Sequence, residues 1–236
     1  LMATGNYQYV EPDWICYPVA VPNDPQYSQQ WHHVNMQSAP AWDFSTGSSS
    51  FVAAVCDSGV DKDHPDLQAH LVSGYNAVDR IPESQGGQVG DLNGHGTMCA
   101  GCVGAIGNNG IGVAGMNWSI SLMPVRVSND SSGSASMSNL THGALWAAQN
   151  GAKTVSVSFT GVESSSVGTT GTAIRALDAL LFWAADNYNQ NHSSFDWEDV
   201  TVVGATDQND DKASFSSYGV AIDVMAPGVS ITTTTN

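Results

Sequence analysis

The sequence FVAAVCDSG, residues 51–59, decides the fold of this chain. Six apolar residues in a row are followed by Asp57, Ser58 and Gly59, which are small residues common in turns. A short apolar run that ends in such residues is typical of a strand buried on both faces. We therefore predict a core strand over residues 51–56, with the carboxylate of Asp57 fixed at its carboxyl end.

Segments of the same kind alternate with helix-like segments along the chain. The predicted strands cover residues 51–56, 120–127, 155–159, 182–185, 200–205 and 221–225, and the predicted helices cover residues 96–103, 137–149 and 173–181, with a short helix near Ser38. Residues 79–94 are predicted to be a loop and residues 1–30 an extended arm. This alternation predicts an α/β fold of three layers, in which a mainly parallel sheet is flanked by helices. Ligands of such sheets bind beyond the carboxyl ends of the strands, where Asp57 lies.

The charge of the chain excludes some classes of function. The 236 residues include 22 Asp and Glu but only 6 Lys and Arg, which gives a net charge of −16. Binding to nucleic acid or to an anionic membrane surface requires basic side chains, and no apolar run reaches the roughly 20 residues that span a bilayer. We predict that neither nucleic acid nor a membrane is a partner. The acidity and the low lysine content favour an extracellular or salt-exposed protein.

The four cysteines, Cys16, Cys56, Cys99 and Cys102, are too few for a disulfide framework in a chain of this length. Cys99 and Cys102 form a CxxC sequence, which occurs in redox and zinc sites, but no second CxxC pair follows. We predict that the cysteines are buried free thiols. A thiol redox protein that uses Cys99 and Cys102 is an alternative, which requires a reactive thiolate within a predicted core helix.

Asp57 and His95 together indicate acyl-transfer chemistry. Such chemistry at neutral pH needs a weak nucleophile, a base that takes its proton and an acidic group that orients the base. Asp57 at a strand end can accept a hydrogen bond from an imidazole, and His95, between Gly94 and Gly96 at the start of a predicted helix, leaves its ring open to a substrate. The order Asp, His, Ser is one of the known orders of such a triad, and this chain carries its first two members.

Two segments around these residues resemble the catalytic blocks of the subtilisin-like serine proteases. VCDSGV at 55–60, with HPDL at 64–67, is similar to the block of the catalytic aspartate, and NGHGTMCAG at 93–101 is similar to that of the catalytic histidine. Over residues 22–236 further segments follow in the family's order, in a pattern nearest to its thermitase-like and proteinase K-like branches. They lie at residues 23–25, 30–31, 151–159, 204–207, 215–219 and 226–228. The resemblance implies a secreted endopeptidase that cleaves protein or peptide substrates through an acyl-enzyme, with Asp57 and His95 in its triad.

The resemblance also implies an oxyanion donor. The family places an asparagine after a strand of small residues, and Asn187 in WAADN, residues 183–187, holds this place. A side-chain amide aimed at the developing oxyanion contributes about 3 kcal/mol of transition-state stabilisation. The family usually has glycine where this chain has Asp186. We expect the Asp186 carboxylate either to lie near the developing negative charge or to require a different backbone path.

The nucleophilic serine of the family has no counterpart in residues 1–236. The family carries it in a Gly-Thr-Ser segment downstream of Ala-Pro-Gly, here residues 226–228, and no Gly-Thr-Ser occurs in this sequence. The serines that match the family, Ser58, Ser158, Ser216 and Ser217, correspond to other positions. We expect residues 22–236 to be a catalytic domain cut short before the serine, inactive alone, with the fragment that carries the serine as its partner. The alternative is a catalytically silent binding or scaffold protein of the same fold.

Two segments are expected to bind the substrate backbone. Proteases of this type add the substrate as an extra strand through main-chain hydrogen bonds, and small residues permit its close approach. By resemblance the edges are formed by Ser132, Gly133 and Ser134 and by Ser158, Phe159, Thr160 and Gly161. Residues 158–161 and 184–187 would bound the pocket for the substrate side chain next to the cleaved bond.

Calcium is the cofactor that the resemblance implies. Ca²⁺ binds oxygen ligands from carboxylates, amides and carbonyls. The side chains of Asp24, Asp66 and Asn109, with the carbonyls of Ile106, Ile111 and Val113, match the strong site of the family. The bound ion would join distant segments and stabilise the fold. Asp79 and Asp91 are candidates for a second, weaker ion.

Residues 1–21 precede the expected catalytic domain. The sequence YQYVEPD at 7–13 resembles the end of an inhibitory propeptide. We expect this stretch to be either a propeptide remnant, as in a zymogen, or a native N-terminal extension. In the first case the protein's own propeptide is a further partner.

Overall fold

The computed structural model describes residues 2–5, 8–13 and 20–236, and within these its strands form one eight-stranded sheet. The strands are β1 (Gly47–Asp57), β2 (Tyr75–Asn76), β3 (Ile81–Pro82), β4 (Ser119–Arg126), β5 (Thr154–Val157), β6 (Leu180–Ala184), β7 (Val200–Thr206) and β8 (Val224–Pro227). Their order across the sheet is β3-β2-β4-β1-β5-β6-β7-β8. Neighbouring strands are parallel except for β2 and β3, which are antiparallel. The central strand β1 is hydrogen-bonded to β4 and to β5, so its carboxyl end lies at the middle of the sheet's edge.

The α-helices lie between the strands in the chain and cover both faces of the sheet. They are α1 (Trp31–Asn35), α2 (Ser38–Trp42), α3 (His95–Gly104), α4 (Met137–Gln149) and α5 (Ser165–Arg175). Short 3₁₀ helices occur at Met2–Thr4, Tyr27–Gln29, Gln68–His70 and Glu83–Gln85. Within the described part of the chain, no helix combines the length and apolar character needed to cross a bilayer.

The alternation of side chains along β1 assigns the helices to two layers. Ala53 and Val55 lie in a core cluster with Ala100 of α3, whereas Ala54 and Cys56 lie in another cluster with residues of α4 and α5. Because successive side chains of a strand point to opposite faces, α3 covers one face and the pair α4 and α5 covers the other. The predicted α/β fold with three layers and a mainly parallel sheet is confirmed.

Most of the predicted elements agree with the structure to within a few residues, and α4 has the predicted bounds. The helix predicted over residues 173–181 is wrong. The chain instead forms α5 from Ser165 to Arg175 and then β6 from Leu180. The sequence of α5, SSVGTTGTAIR, has few large apolar residues, so the periodicity that predicts a helix is weak. The leucines at 180 and 181 therefore belong to the strand and not to a helix.

Smaller differences lie near the amino end and in the loop. The predicted arm contains the 3₁₀ helix Tyr27–Gln29 and is followed by α1, which was not predicted, and the loop at 79–94 contains β3 and the helix Glu83–Gln85. The predicted last strand lies slightly later, at Val224–Pro227. Cys16 and part of residues 1–21 lie outside the described residues.

Candidate active site

Asp57 is held at the carboxyl end of β1, where the sheet meets the cleft. Its side chain is 1% exposed, and Oδ1 accepts a hydrogen bond from the backbone N–H of Ser58 at 2.8 Å. Oδ2 is buried and has no hydrogen-bond partner among the described residues. The strand therefore supplies a buried carboxylate in a fixed position.

His95 is the first residue of α3 and follows Gly94, whose φ of +101° is in the left-handed region that favours glycine. Its Nδ1 lies 2.7 Å from Asp57 Oδ1. Because a carboxylate only accepts, Nδ1 carries the proton and donates it to this bond, which leaves Nε2 of a neutral ring as an acceptor. The imidazole remains 44% exposed, so a substrate can reach it.

The contact with Asp57 also decides the basicity of His95. The hydrogen bond from Nδ1 to the Asp57 carboxylate, assisted by the nearby thiol of Cys99, raises the pKa of His95 above its ordinary value despite partial burial. The imidazolium form is therefore stabilised in this site. Such a base can take a proton from a nucleophile and later donate it to the leaving group.

A buried network fixes the start of α3 against the end of β1. The hydroxyl of Ser58 donates to Asp91 Oδ1 at 2.8 Å and accepts from the N–H of Gly96 at 2.9 Å. The other oxygen of Asp91 accepts from the N–H and the hydroxyl of Thr97. Burial alone would raise the pKa of Asp91, but the hydrogen bonds from Thr97 and from the N–H groups of Gly94 and Asn93 hold it below its ordinary value. The ionised side chain of Asp91 thus stabilises the first turn of α3. The sequence analysis does not predict this role.

Most of the residues predicted to bind the substrate line one open cleft with the pair. The cleft has a volume of about 400 Å³, and its lining comprises Asp57, Ser58, Asn93, His95, Ser132, Gly133, Ser134, Ala135, Ser158, Phe159 and Thr160. The ring of Phe159 meets the His95 ring edge to face, with 6.3 Å between centroids. Gly161 is not part of the lining. It has a φ of +92°, and a Cβ there would contact Met137.

Asn93 contacts one of the predicted substrate-binding segments near His95, and no local pattern in the sequence predicts this contact. Its amide Nδ2 donates to the carbonyl of Ser131 at 2.9 Å, and a Cβ on Gly133 would touch the same side chain. Asn93 therefore holds the segment of residues 131–133 beside the segment that precedes α3.

Asn187 follows β6, at the same carboxyl edge of the sheet as Asp57, with β5 between their strands. Its side chain is exposed, and it is not part of the lining of the cleft. Asp186 before it has a φ of +69°, the left-handed conformation that glycine adopts easily and that aspartate tolerates better than most residues. Its carboxylate is buried and hydrogen-bonded to Ser217 and His192.

The cysteines differ from one another in their surroundings. Cys56 is buried, Cys99 is half-buried and Cys102 is exposed, so the prediction of buried thiols is wrong for Cys102. All three are free, and burial raises the pKa of Cys56, which keeps it protonated. Cys99 lies one turn after His95 on α3, and its Sγ is 3.8 Å from Nδ1.

One group of three potential metal ligands lies close together among the described residues. The ligand atoms of Asp57, His95 and Cys99 lie within 4.8 Å of one another, but the hydrogen bond between Asp57 and His95 already uses one atom of each. The predicted ligands Asp24 and Asp66 are a separate pair of buried carboxylates, which contact the loop of residues 106–113.

The loop of residues 106–113 meets both of these carboxylates. Asp24 Oδ2 accepts from the N–H of Asn108 at 2.6 Å, and the two oxygens of Asp66 accept from Asn109 Nδ2 and from the N–H of Val113. Both side chains are buried, and no described Lys or Arg forms an ion pair with either. Burial raises the pKa of Asp66, and the neighbouring charge of Asp24 adds to this effect.

The remaining predicted metal ligands form hydrogen bonds with other partners. Ile106 donates its N–H to the carbonyl of Asp66, and Ile111 donates its N–H to Asn109 Oδ1. Asp79, a candidate for a second ion, accepts from Asn129. Asp91 is engaged with α3 instead, so these two acids have separate sets of partners.

The fold and the cleft define a class of protein in which an oriented acid–base pair stands at the carboxyl edge of a parallel sheet. The sequence model of the subtilase family matches residues 48–236. This chain belongs to the subtilase family.

Known proteins of this kind resemble the chain over most of its length. It is 38% identical to thermitase of Thermoactinomyces vulgaris, over 88% of this chain and 73% of thermitase. It is 32% identical to the extracellular basic protease of Dichelobacter nodosus, over 99% of this chain and 46% of that protein. Among solved structures, the proteases from Pseudoalteromonas arctica PAMC 21717 match with a TM-score of 0.77 and 28% identity, over 92% of this chain and 80% of the other. The chain thus spans about half of one relative and most of another.

Proposed function

We propose that the protein is a serine endopeptidase that hydrolyses peptide bonds of protein substrates through an acyl-enzyme. One observation carries this proposal: the 2.7 Å hydrogen bond between His95 Nδ1 and the buried Asp57 carboxylate, at the wall of an open cleft. The protease names of its relatives support the same class of reaction.

In the proposed mechanism His95 acts first as a general base and then as a general acid. Nε2 takes the proton of a serine hydroxyl as the oxygen attacks the peptide carbonyl, and it gives that proton to the departing amine. Asp57 keeps the proton of the resting ring on Nδ1 and stabilises the imidazolium. The nucleophilic serine is proposed to lie outside residues 1–236, since no described serine is hydrogen-bonded to His95.

Asn187 is proposed to donate its amide to the oxyanion that forms in this step. Its side chain is exposed at the carboxyl edge of the sheet, as a donor to a substrate must be. The proposed edges of the substrate strand are residues 132–134 and 158–161. The small side chains of the first edge, and the presence of residues from both edges beside His95 in the cleft lining, support an extended substrate backbone.

A fluorophosphonate probe tests the proposal, because it labels a serine that an adjacent base activates. The intact gene product should be labelled, and His95→Ala should abolish labelling. A folded intact gene product that is not labelled, and that releases no peptides from an unfolded protein substrate, would contradict the proposal.

The second candidate is a catalytically silent binding or scaffold protein of the same fold. The lack of a described serine at His95 and the presence of Asp186 in place of the family's usual glycine favour it. The same probe separates the two, since a silent protein stays unlabelled while it keeps a cleft that binds peptides.

Calcium is proposed to stabilise the fold at Asp24 and Asp66. Two buried carboxylates that form no ion pair with a described Lys or Arg, and that one loop contacts, form an oxygen-rich site that a divalent cation would neutralise. The side-chain oxygen of Asn109 and the carbonyls of Ile106, Ile111 and Val113 are the other proposed ligands. The ion would supply positive charge and a link between distant segments, with no part in the reaction.

Secretion is also proposed, on the acidic composition and on the extracellular relative. Residues 1–21 are proposed to be a propeptide remnant or a native extension, and residues 22–236 the catalytic domain. The N-terminal sequence of the active protein separates the two readings, because removal of residues 1–21 on activation supports a propeptide and their retention supports an extension.

A further inference from the structure

The turn that carries Asn187 contains a buried carboxylate with several partners. Asp186 is 8% exposed, whereas the next residue, Asn187, is exposed. Asp186 Oδ1 accepts from the N–H of Tyr188 at 3.0 Å and from the hydroxyl of Ser217 at 2.5 Å. Oδ2 lies 3.0 Å from His192 Nε2, which also lies 3.0 Å from the carbonyl of Ala185. Both oxygens of the carboxylate are thus bonded within the protein.

This buried cluster is not a second catalytic triad. The hydroxyl of Ser217 donates to Asp186 and not to the imidazole of His192, so serine, histidine and aspartate do not form a relay in the order of a triad. His192 Nε2 is already engaged with Asp186 and Ala185, and Ser217 is completely buried. Ser217 and His192 both contact the carboxylate of Asp186, which indicates a structural task for that carboxylate.

The cluster joins the turn after β6 to the segment that follows β7. The N–H of Asn189 donates to the carbonyl of Phe215 at 2.8 Å, and the N–H of Gln190 donates to Ser217 Oγ at 3.0 Å. Further along, His192 and Tyr218 are joined by a backbone hydrogen bond of 2.7 Å. The turn is therefore fixed on both sides of Asn187, while Asn187 itself has no hydrogen bond to any described residue.

We propose that Asp186 is a positioning residue, which holds the backbone of Asn187 so that its amide meets the oxyanion. The inference rests on the proposed function. The side chains of residues 186 and 187 diverge: the carboxylate points into the cluster and the amide stays in solvent. The carboxylate that this chain has where the family usually has glycine accepts hydrogen bonds from three donors, which stabilise its negative charge within the cluster.

A double-mutant cycle in the intact gene product tests this inference. Asp186→Gly removes the carboxylate but allows the backbone to keep φ of +69°, because glycine adopts it without strain. We expect kcat to fall at least tenfold with little change in KM, since a small misplacement of a catalytic group is costly. In an Asn187→Ala background the same change should cost almost nothing, because the group that it positions is gone.

Matched variants keep the result interpretable. Asp178→Gly replaces another aspartate with positive φ, at the opposite end of β6, and should leave kcat unchanged. Asp186→Asn keeps an acceptor for Tyr188 and Ser217 and should retain more activity than Asp186→Gly. If Asp186→Gly does not fold, Ser217→Ala, which removes one donor, takes its place in the cycle.

Equal losses of kcat from Asp186→Gly with and without Asn187 would overturn the inference, as would full activity of the folded single variant. Both outcomes leave the proposed function intact. If the unaltered protein neither hydrolyses peptides nor reacts with the fluorophosphonate, the proposed function fails and the inference fails with it. Labelling of the unaltered protein therefore distinguishes the two failures.

Discussion

The Asp57 carboxylate and the His95 ring show how single residues set the chemistry of the cleft. One is 1% exposed and the other 44% exposed, so the acid is sheltered while the base is open to a substrate. This difference follows from their elements, since Asp57 ends a central strand and His95 begins a helix. The predicted positions of the two residues, at the end of a strand and at the start of a helix, agree with the structure because each residue lies within a distinctive local motif.

The activity should rise with pH as His95 loses its proton, because only the neutral ring can accept the proton of a nucleophile. Asp57 raises the pKa of His95, so the midpoint of kcat/KM should lie above the ordinary histidine value near 6.5, not near or below pH 7 as a ring without this partner would suggest. Asp57→Asn should lower that midpoint and reduce kcat by about 10⁴. The pH–rate profile measures both effects.

Asp178→Asn serves as the control for this experiment, since Asp178 is exposed and pairs with Lys153 far from the cleft. It should leave the midpoint in place. A midpoint that does not move in Asp57→Asn would contradict the assignment of His95 as the titrating base.

At the scale of elements, the close approach of α3 to the end of β1 forms the catalytic pair. Gly96 lies in the first turn of α3, and a Cβ at this position would overlap the carbonyl oxygen of Gly59. Its N–H also bonds to Ser58. A glycine is therefore required where the helix crosses the turn after β1.

Gly96→Ala should push α3 away from β1 and lengthen the bond between Asp57 and His95. We expect a loss of several degrees in Tm and at least tenfold in kcat/KM, because backbone atoms cannot move aside without shifting an element. Gly90→Ala is the matched control, since a Cβ there meets nothing within 4 Å. The Tm and the kcat/KM of the two variants are compared. Equal values for Gly96→Ala and Gly90→Ala would contradict the requirement for glycine at position 96.

The elements that the sequence predicted well are those with a clear period or a buried apolar run, such as β1 and α4. Helix α5 was misplaced because serine, threonine and glycine dominate it and because Val167 and Ile174 are its only large aliphatic residues in the core. The contacts of Asp186 with Ser217 and His192 were not predictable either. They depend on how the turns after β6 and β7 pack against each other, and no local sequence pattern in either segment predicts this packing.

At the scale of the whole molecule, the net charge of −16 creates a negative field around the protein. Basic substrates should be captured faster than neutral ones of the same sequence pattern. Raising the ionic strength from about 0.01 M to 1 M shortens the Debye length from about 30 Å to 3 Å and should lower kcat/KM for a lysine-rich peptide. A matched peptide with glutamine in place of lysine should show little change, and an equal salt response of both peptides would contradict the prediction.

Calcium should change the stability of the fold through Asp24 and Asp66. At a free Ca²⁺ concentration of 100 times Kd, binding adds about 2.7 kcal/mol to the free energy of unfolding, so removal by a chelator should lower Tm by several degrees. Asp66→Asn should lower Tm in calcium and respond less to the chelator. Asp178→Asn, on an exposed aspartate, should respond like the unaltered protein. A Tm that does not respond to the chelator would exclude the site.

The central place of β1 has a consequence for how heat inactivates this protein. A strand that is bonded along both edges opens only when the sheet comes apart, so its amide protons should be among the slowest to exchange with solvent. Asp57, which orients the imidazole, therefore belongs to the part of the fold that unfolds last. Warming should abolish the alignment of acid and base in the same cooperative step that melts the sheet, and no earlier.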